Sequence, residues 1–408
     1  MKPVHAPQSQ FPVVDDCLQV GGIALTRLAQ RVGSTPFYAY DRSLLDARVA
    51  HLRAHLPPEV ALHYSIKANP MPALVQHMAG LVDGLDVASG GEMKVALDTG
   101  MPAGRISFAG PGKSEADLAQ AQAAGVCINI ESEREIRILA RLSQQSGYQA
   151  SALLRVNPDF ELRSSGMKMG GGAKQFGIDA ELAPAMLALA FESGIDVQGL
   201  QIFSGSQSLK TDAIMEAQSR TVELALQLAA SAPSPLRQLN IGGGFGIPYF
   251  AGEQPLDIAP IGVHLAQLQQ QVAAAQPQAR LAIELGRYLV GEAGVYVARV
   301  IDRKRSRGQL FLVTDGGLHH HLAASGNFGQ VIRKNYPVAV GNRMAAQLDT
   351  PAFVVGPLCT PLDLLADKMD LAHAEVGDLV VVFQSGAYGL TASPASFLSH
   401  PPAAEVLV

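Results

Sequence analysis

One lysine stands where a chemical role would explain it. In His63-Tyr64-Ser65-Ile66-Lys67-Ala68-Asn69-Pro70 an apolar, strand-like run through Leu62 and Tyr64 ends at Lys67, beside turn-forming Asn69-Pro70. An amine at the tip of a buried strand is costly to desolvate. Desolvated and neutral, it can attack an aldehyde to form a Schiff base. The plain alternative is a lysine that snorkels to water. Gly242-Gly243-Gly244 follows Leu239-Asn240-Ile241, and the exposed N–H groups of such a run can cradle a phosphate, although many glycine runs are only tight turns. Glu284-Leu285-Gly286-Arg287 adds a carboxylate and a guanidinium able to clamp the same phosphate. A lysine for an aldehyde, a glycine cradle for a phosphate and a carboxylate for a ring nitrogen together describe pyridoxal phosphate.

These residues need a scaffold. From about Thr35 to Glu284 short β-rich runs (36–40, 61–66, 84–87, 105–108, 126–130, 151–156, 197–202, 238–241 and 281–284) alternate with alanine-rich segments. Among the latter, 114–124, 132–145, 184–192 and 212–230 have helical spacing of apolar residues. Such repetition over about 250 residues is the signature of a (β/α)8 barrel, and a doubly wound sheet would share it. In a barrel, ligands sit at the carboxyl ends of the strands, where Lys67, Arg155, Ser206, Gly243, Gly244 and Glu284 all fall. After Gly291 helices nearly vanish, and runs at 295–301, 309–314, 352–355 and 379–383 predict a separate, mostly antiparallel β domain. The first 35 or so residues, with a strand at 17–20, are expected to join it, because chain termini often meet. The expected division is therefore a segment 1–35, a barrel 36–290 and a β domain 291–408. Residues 164–172, rich in glycine, read as a mobile loop over the site.

Composition narrows the function classes. The 408 residues suffice for two domains with real cores. Lys and Arg number 31 against 36 Asp and Glu, with no basic run, which argues against a nucleic-acid surface or a polybasic membrane patch. No apolar run approaches the roughly 20 residues that span a bilayer. The opening MKPVHAPQSQFPVVDD lacks the apolar core of a signal peptide. Cys17, Cys127 and Cys359 are odd in number and far apart, which predicts a reduced, cytoplasmic protein.

From about Phe37 onward the chain resembles the fold-type III pyridoxal-phosphate decarboxylases, the group of diaminopimelate, ornithine and arginine decarboxylases related to alanine racemase. The resemblance is carried by Tyr64-Ser65-Ile66-Lys67-Ala68-Asn69, Asp86-Val87-Ala88-Ser89, Arg155-Val156-Asn157-Pro158, Gly205-Ser206-Gln207, Gly242-Gly243-Gly244, Glu284-Leu285-Gly286-Arg287, Gly356-Pro357-Leu358-Cys359 and Gly386-Ala387-Tyr388-Gly389. It implies that Lys67 bonds the cofactor aldehyde and that Glu284 holds the pyridine nitrogen protonated. Ser206, Gly244, Arg287 and Tyr388 would hold the phosphate, Asp86, Gly243 and Gly286 would also bind the cofactor, and Arg155 would approach its phenolic oxygen. Cys359, from the partner subunit of a homodimer with shared active sites, would protonate Cα. A carboxylate at the ring nitrogen favours decarboxylation, since a pyridinium ring is the stronger electron sink; racemases of this fold place an arginine there.

Two departures stand out. The family usually reads Gly-Leu-His-x-His-x-Gly-Ser, and here it reads Gly199-Leu200-Gln201-Ile202-Phe203-Ser204-Gly205-Ser206. Phe203 can stack on the ring but cannot donate a hydrogen bond. After the cysteine, where related enzymes carry a carboxylate for the distal amine of the substrate, stands uncharged Thr360. Losing such a buried pair costs several kcal/mol, which disfavours a basic diamino acid. The wording of 165–177 and 385–401 resembles the branch holding the decarboxylase of butirosin biosynthesis and those associated with the exosortase A system. That implies a glutamyl-type thioester on an acyl carrier protein, with Lys168 and Lys174 available to an acidic carrier, although solvated loop lysines are the simpler account. The run His319-His320-His321 is expected to hold no metal, because neighbours on one strand face opposite ways; His319 is expected at the mouth of the site.

Overall fold

The computed structural model describes residues 3–161, 167–168 and 170–408. The chain divides into two compact units, Val49–Ile247 with Leu256–Tyr288, and Met1–Arg48 with Pro248–Pro255 and Leu289–Val408.

The first unit is a closed barrel of eight parallel strands: Ala61–Ser65, Gly84–Val87, Ile106–Phe108, Cys127–Ile130, Ser151–Asn157, Asp196–Ile202, Gln238–Asn240 and Arg280–Leu285. Each pairs with the next, and Arg280–Leu285 returns to Ala61–Ser65 with Leu285 opposite Tyr64. That closure removes the doubly wound alternative. The strands are buried almost throughout, as expected where helices cover a parallel sheet, and the polar residues Asp86, Ser107, Asn129 and Arg155 are buried with them. Serines start several of the helices: the Ser89, Ser114 and Ser132 side chains accept from Glu92, Asp117 and Glu135 backbone N–H, and Asp117 completes a capping box.

The second unit is a mixed sheet ordered Val338–Val340, Leu379–Val382, Gly294–Ser306, Gln309–Thr314, Thr350–Val355, Leu364–Leu371. All these neighbours are antiparallel except Gln309–Thr314 with Thr350–Val355. One expectation needs correction. Residues 36–40, read as the opening strand of the barrel, form Phe37–Tyr40, which pairs antiparallel to Gly294–Ser306 with Ala39 opposite Val295. The apolar run Phe-Tyr-Ala-Tyr suits either sheet, so local pattern could not assign it. Ala404–Leu407, unanticipated, pairs parallel beside it. Cys17–Val20 is the middle strand of a small three-stranded sheet, and its Leu18 and Val20 share a core with Phe37, Val295, Val297, Leu379 and Val381.

Candidate active site

Ten residues singled out from the sequence converge on the carboxyl ends of the barrel strands. Lys67 follows Ala61–Ser65 in a short 3-10 turn; it is exposed while Ile66 and Ala68 beside it are buried. The burial expected of this lysine therefore belongs to its neighbours instead. Asp86 is buried and accepts from Ser65 Oγ at 3.1 Å and Ser107 Oγ at 3.3 Å. Its carboxyl is pushed up to about 7, first by burial and then by the charge of Glu284, while Lys67 pulls it the other way. His63, opposite Glu284 in register, is held below its usual range by burial.

Glu284 is 7 % exposed on Arg280–Leu285. Its Oε1 accepts from Asn240 Nδ2 at 2.6 Å and its Oε2 from Gln201 Nε2 at 3.1 Å. Neither amide was singled out from the sequence as a site residue. Gln201 stood in plain view as one of the substitutions in the Gly-Leu-His-x-His pattern, but its partner lies 83 positions away. Arg155 is also buried, its Nη1 donating to Glu131 Oε1 at 2.8 Å, with its guanidinium 5.0 Å from the Phe176 ring centre. Glu131 in turn accepts from the Gly177 backbone and faces Lys113 Nζ at 3.8 Å, and Lys113 is bonded to Glu135 at 3.0 Å. This buried charge network was also missed, because its members sit on a strand, a helix and two loops that only the fold brings together.

Two loops form the candidate phosphate cradle. Gly205–Ser206 is followed by Gln207, and Gly242–Gly244 by Phe245; the Ser208 N–H donates to Gly244 O at 2.9 Å and Gly246 N–H to Ser208 O at 2.9 Å. Gln207 ties in Ile247 through both ends of its amide, at 2.7 and 3.2 Å. A Cβ on Gly243 would collide with the Glu284 carbonyl oxygen, and Gly244 has φ +84°, so both positions favour glycine for geometric reasons. Phe203, half-buried, packs so closely on Gly242 that a Cβ there would strike its ring. Gly286 abuts Ala68, next to Lys67, and half-buried Arg287 opens the Arg287–Val290 helix. A lysine, a buried carboxylate with each oxygen already bonded to an amide, a close-packed glycine loop and the unpartnered, buried Gln201 Oε1 suit a polar aromatic phosphate. The residues fit pyridoxal phosphate.

The remaining predicted site residues belong to the β unit. Cys359 is exposed in the bend after Thr350–Val355. Half-buried Thr360 follows, its Oγ1 accepting from Leu362 N–H at 3.3 Å. The bend is braced by buried Asp363, which accepts from Leu358 N–H at 2.8 Å and Leu318 N–H at 2.6 Å. Tyr388 has φ +52°, a conformation that its surroundings must enforce, and its ring stacks on Phe328 at 6.3 Å. His319–His321 are on a turn, with the His320 and His321 N–H groups donating to Gly317 O, so the alternation argued for a strand does not apply. His319 is fully buried, and burial followed by neighbouring His320 and His400 lowers it to about 4. The other two rings are tied down: His320 Nε2 bonds Pro401 O at 2.8 Å and His321 Nε2 bonds Ser385 Oγ at 2.9 Å. Among the described residues no group of three metal-ligating side chains is assembled, and no helix is long and apolar enough to cross a membrane. Much of the glycine-rich loop read at 164–172, namely residues 164–166 and 169, lies outside the described residues, as does the Lys168 side chain.

Comparison with known proteins agrees with this geometry. Residues 42–291 match the family model for the pyridoxal-dependent decarboxylase, pyridoxal binding domain. The chain is 37 % identical over 392 residues to the L-glutamyl-[BtrI acyl-carrier protein] decarboxylase of Niallia circulans, covering 94 % of this chain and 90 % of that protein. It is 31 % identical to the diaminopimelate decarboxylase of Aquifex aeolicus, covering 97 % and 91 %. The crystal structure of diaminopimelate decarboxylase from Helicobacter pylori complexed with L-lysine superposes with a TM-score of 0.83 at 25 % identity, covering 94 % of each chain. With its barrel, its lysine and its carboxylate in place, the chain belongs to the pyridoxal-dependent decarboxylases and is an amino acid decarboxylase that uses pyridoxal 5'-phosphate.

Proposed function

We propose that this decarboxylase acts on an α-amino acid whose distal end carries no positive charge, and specifically on a glutamyl-type thioester carried by an acyl carrier protein. The observation that carries this reading is Thr360. It directly follows Cys359, has no charge, and its hydroxyl oxygen accepts from the Leu362 N–H. A substrate ammonium brought there would lose water and meet no counter-charge from this residue. The 37 % identity to a decarboxylase of a glutamyl carrier protein supports the same choice.

In this reading Lys67 would bind the cofactor aldehyde carbon, Glu284 would bond the pyridine nitrogen, Ser206, Gly244, Arg287 and Tyr388 would hold the phosphate, and Gly243 and Gly286 would also bind the cofactor. When bound, pyridoxal phosphate accepts the electron pair left at Cα as CO2 departs. Phe203 covers a ring face, Asp86 lines the ring, and Arg155, fixed by Glu131, approaches the phenolic oxygen. Cys359 delivers a proton to Cα from the partner subunit of a cytoplasmic homodimer.

The test is CO2 release from cofactor-loaded protein, with free glutamate, ornithine, lysine and diaminopimelate set against glutamyl-loaded carrier protein. Turnover of the loaded carrier alone supports the reading. Rapid turnover of free diaminopimelate would replace it with the activity named for the Aquifex relative.

A further inference from the structure

Two neutral amides close on one carboxylate in the barrel. Asn240 and Gln201 are opposite each other in register on adjacent strands, are 1 % and 2 % exposed, and donate to different oxygens of Glu284. A buried amide is costly unless bonded, and Gln201 Oε1 has no partner, so Glu284 alone decides which way this amide points. Flipping it would set oxygen against oxygen. A carboxylate has about four lone-pair sites, so each Glu284 oxygen can still accept a second donor.

We propose that Gln201 is a positioning residue for Glu284: with Asn240 it supplies donors that no change of pH removes, so the carboxylate stays aimed at the pyridine nitrogen and keeps it protonated. An amide cannot titrate, whereas a histidine at 201 would offer an N–H that changes character near neutral pH. The titratable groups already in this neighbourhood are His63, opposite Glu284 in register, together with Asp86 and Lys67. They are present in every variant below, so differences between variants isolate position 201.

The role rests on Glu284 bonding the ring nitrogen and not on which substrate is used, so its test needs no substrate. Holoenzyme is loaded with cofactor labelled with 15N in the ring, and the ring-nitrogen chemical shift is followed against pH. Gln201→Met, similar in length but without a donor, should move the shift toward the unprotonated ring and weaken cofactor binding by roughly tenfold. A protonated ring in Gln201→Met with native affinity would overturn the inference. Should Gln201→Met fail to fold, Gln201→His decides: an added titration step in the shift supports the inference, and the native profile overturns it. An unprotonated ring in the native enzyme would overturn the role of Glu284 and this inference with it.

Discussion

Arg155 and Glu131 form a buried ion pair, Nη1 to Oε1 at 2.8 Å, with side chains only 9 % and 3 % exposed. Glu131 serves Lys113 as well, 3.8 Å away. Removing one member of such a pair leaves uncompensated charge. Glu131→Gln should therefore lower unfolding free energy by about 3–5 kcal/mol in urea denaturation. Glu133→Gln, which breaks the exposed Glu133–Arg137 pair one turn along a helix, should leave the midpoint nearly unchanged. Equal effects would contradict the buried network.

Gly243 is pressed against the Glu284 carbonyl, a backbone atom that cannot rotate away. Gly243→Ala should cost about 1–3 kcal/mol and weaken cofactor binding in the same variant. Thermal unfolding and titration with pyridoxal phosphate measure the two effects. A variant with native stability and affinity would show that the loop has room to spare.

Asp86 gives a pH signature. Its carboxyl rises from 3.8 to about 7 on folding, through burial and then Glu284, so the folded state holds this proton more tightly than the unfolded chain. The stability it contributes is complete below 3.8 and is lost as pH rises through about 7. Asp86→Asn cannot ionise. Cofactor-free Asp86→Asn should therefore lose less stability than the native chain across that range, and parallel curves would refute the shift.

Lys67 and Cys359 divide the work in the proposed reaction. Lys67→Ala should abolish the visible absorbance of lysine-bound cofactor. Cys359→Ala should keep that absorbance while slowing product formation or misdirecting its protonation. Mixing the two inactive proteins should restore part of the activity if each site takes its cysteine from the partner subunit. No recovery in the mixture would count against the shared site.

Much of this was legible in the chain itself. Lys67 before Asn69-Pro70, the glycines after Ile241 and Glu284 near the end of its run are local signals, since turn chemistry and strand ends depend on neighbours a few positions apart. The eight-fold alternation was local too, and so was the disappearance of helices after Gly291. What only the tertiary structure decided were pairings across long separations. Phe37–Tyr40 could have entered either sheet until Ala39 was seen opposite Val295. Gln201 and Asn240 acquire a purpose only when Glu284 arrives 83 and 44 positions later. Glu131 meets Arg155 because Cys127–Ile130 and Ser151–Asn157 pair side by side, and His319 is both on a turn and buried. Periodicity states which face of an element is apolar. Register and closure state which polar groups meet inside, and those depend on the whole fold at once.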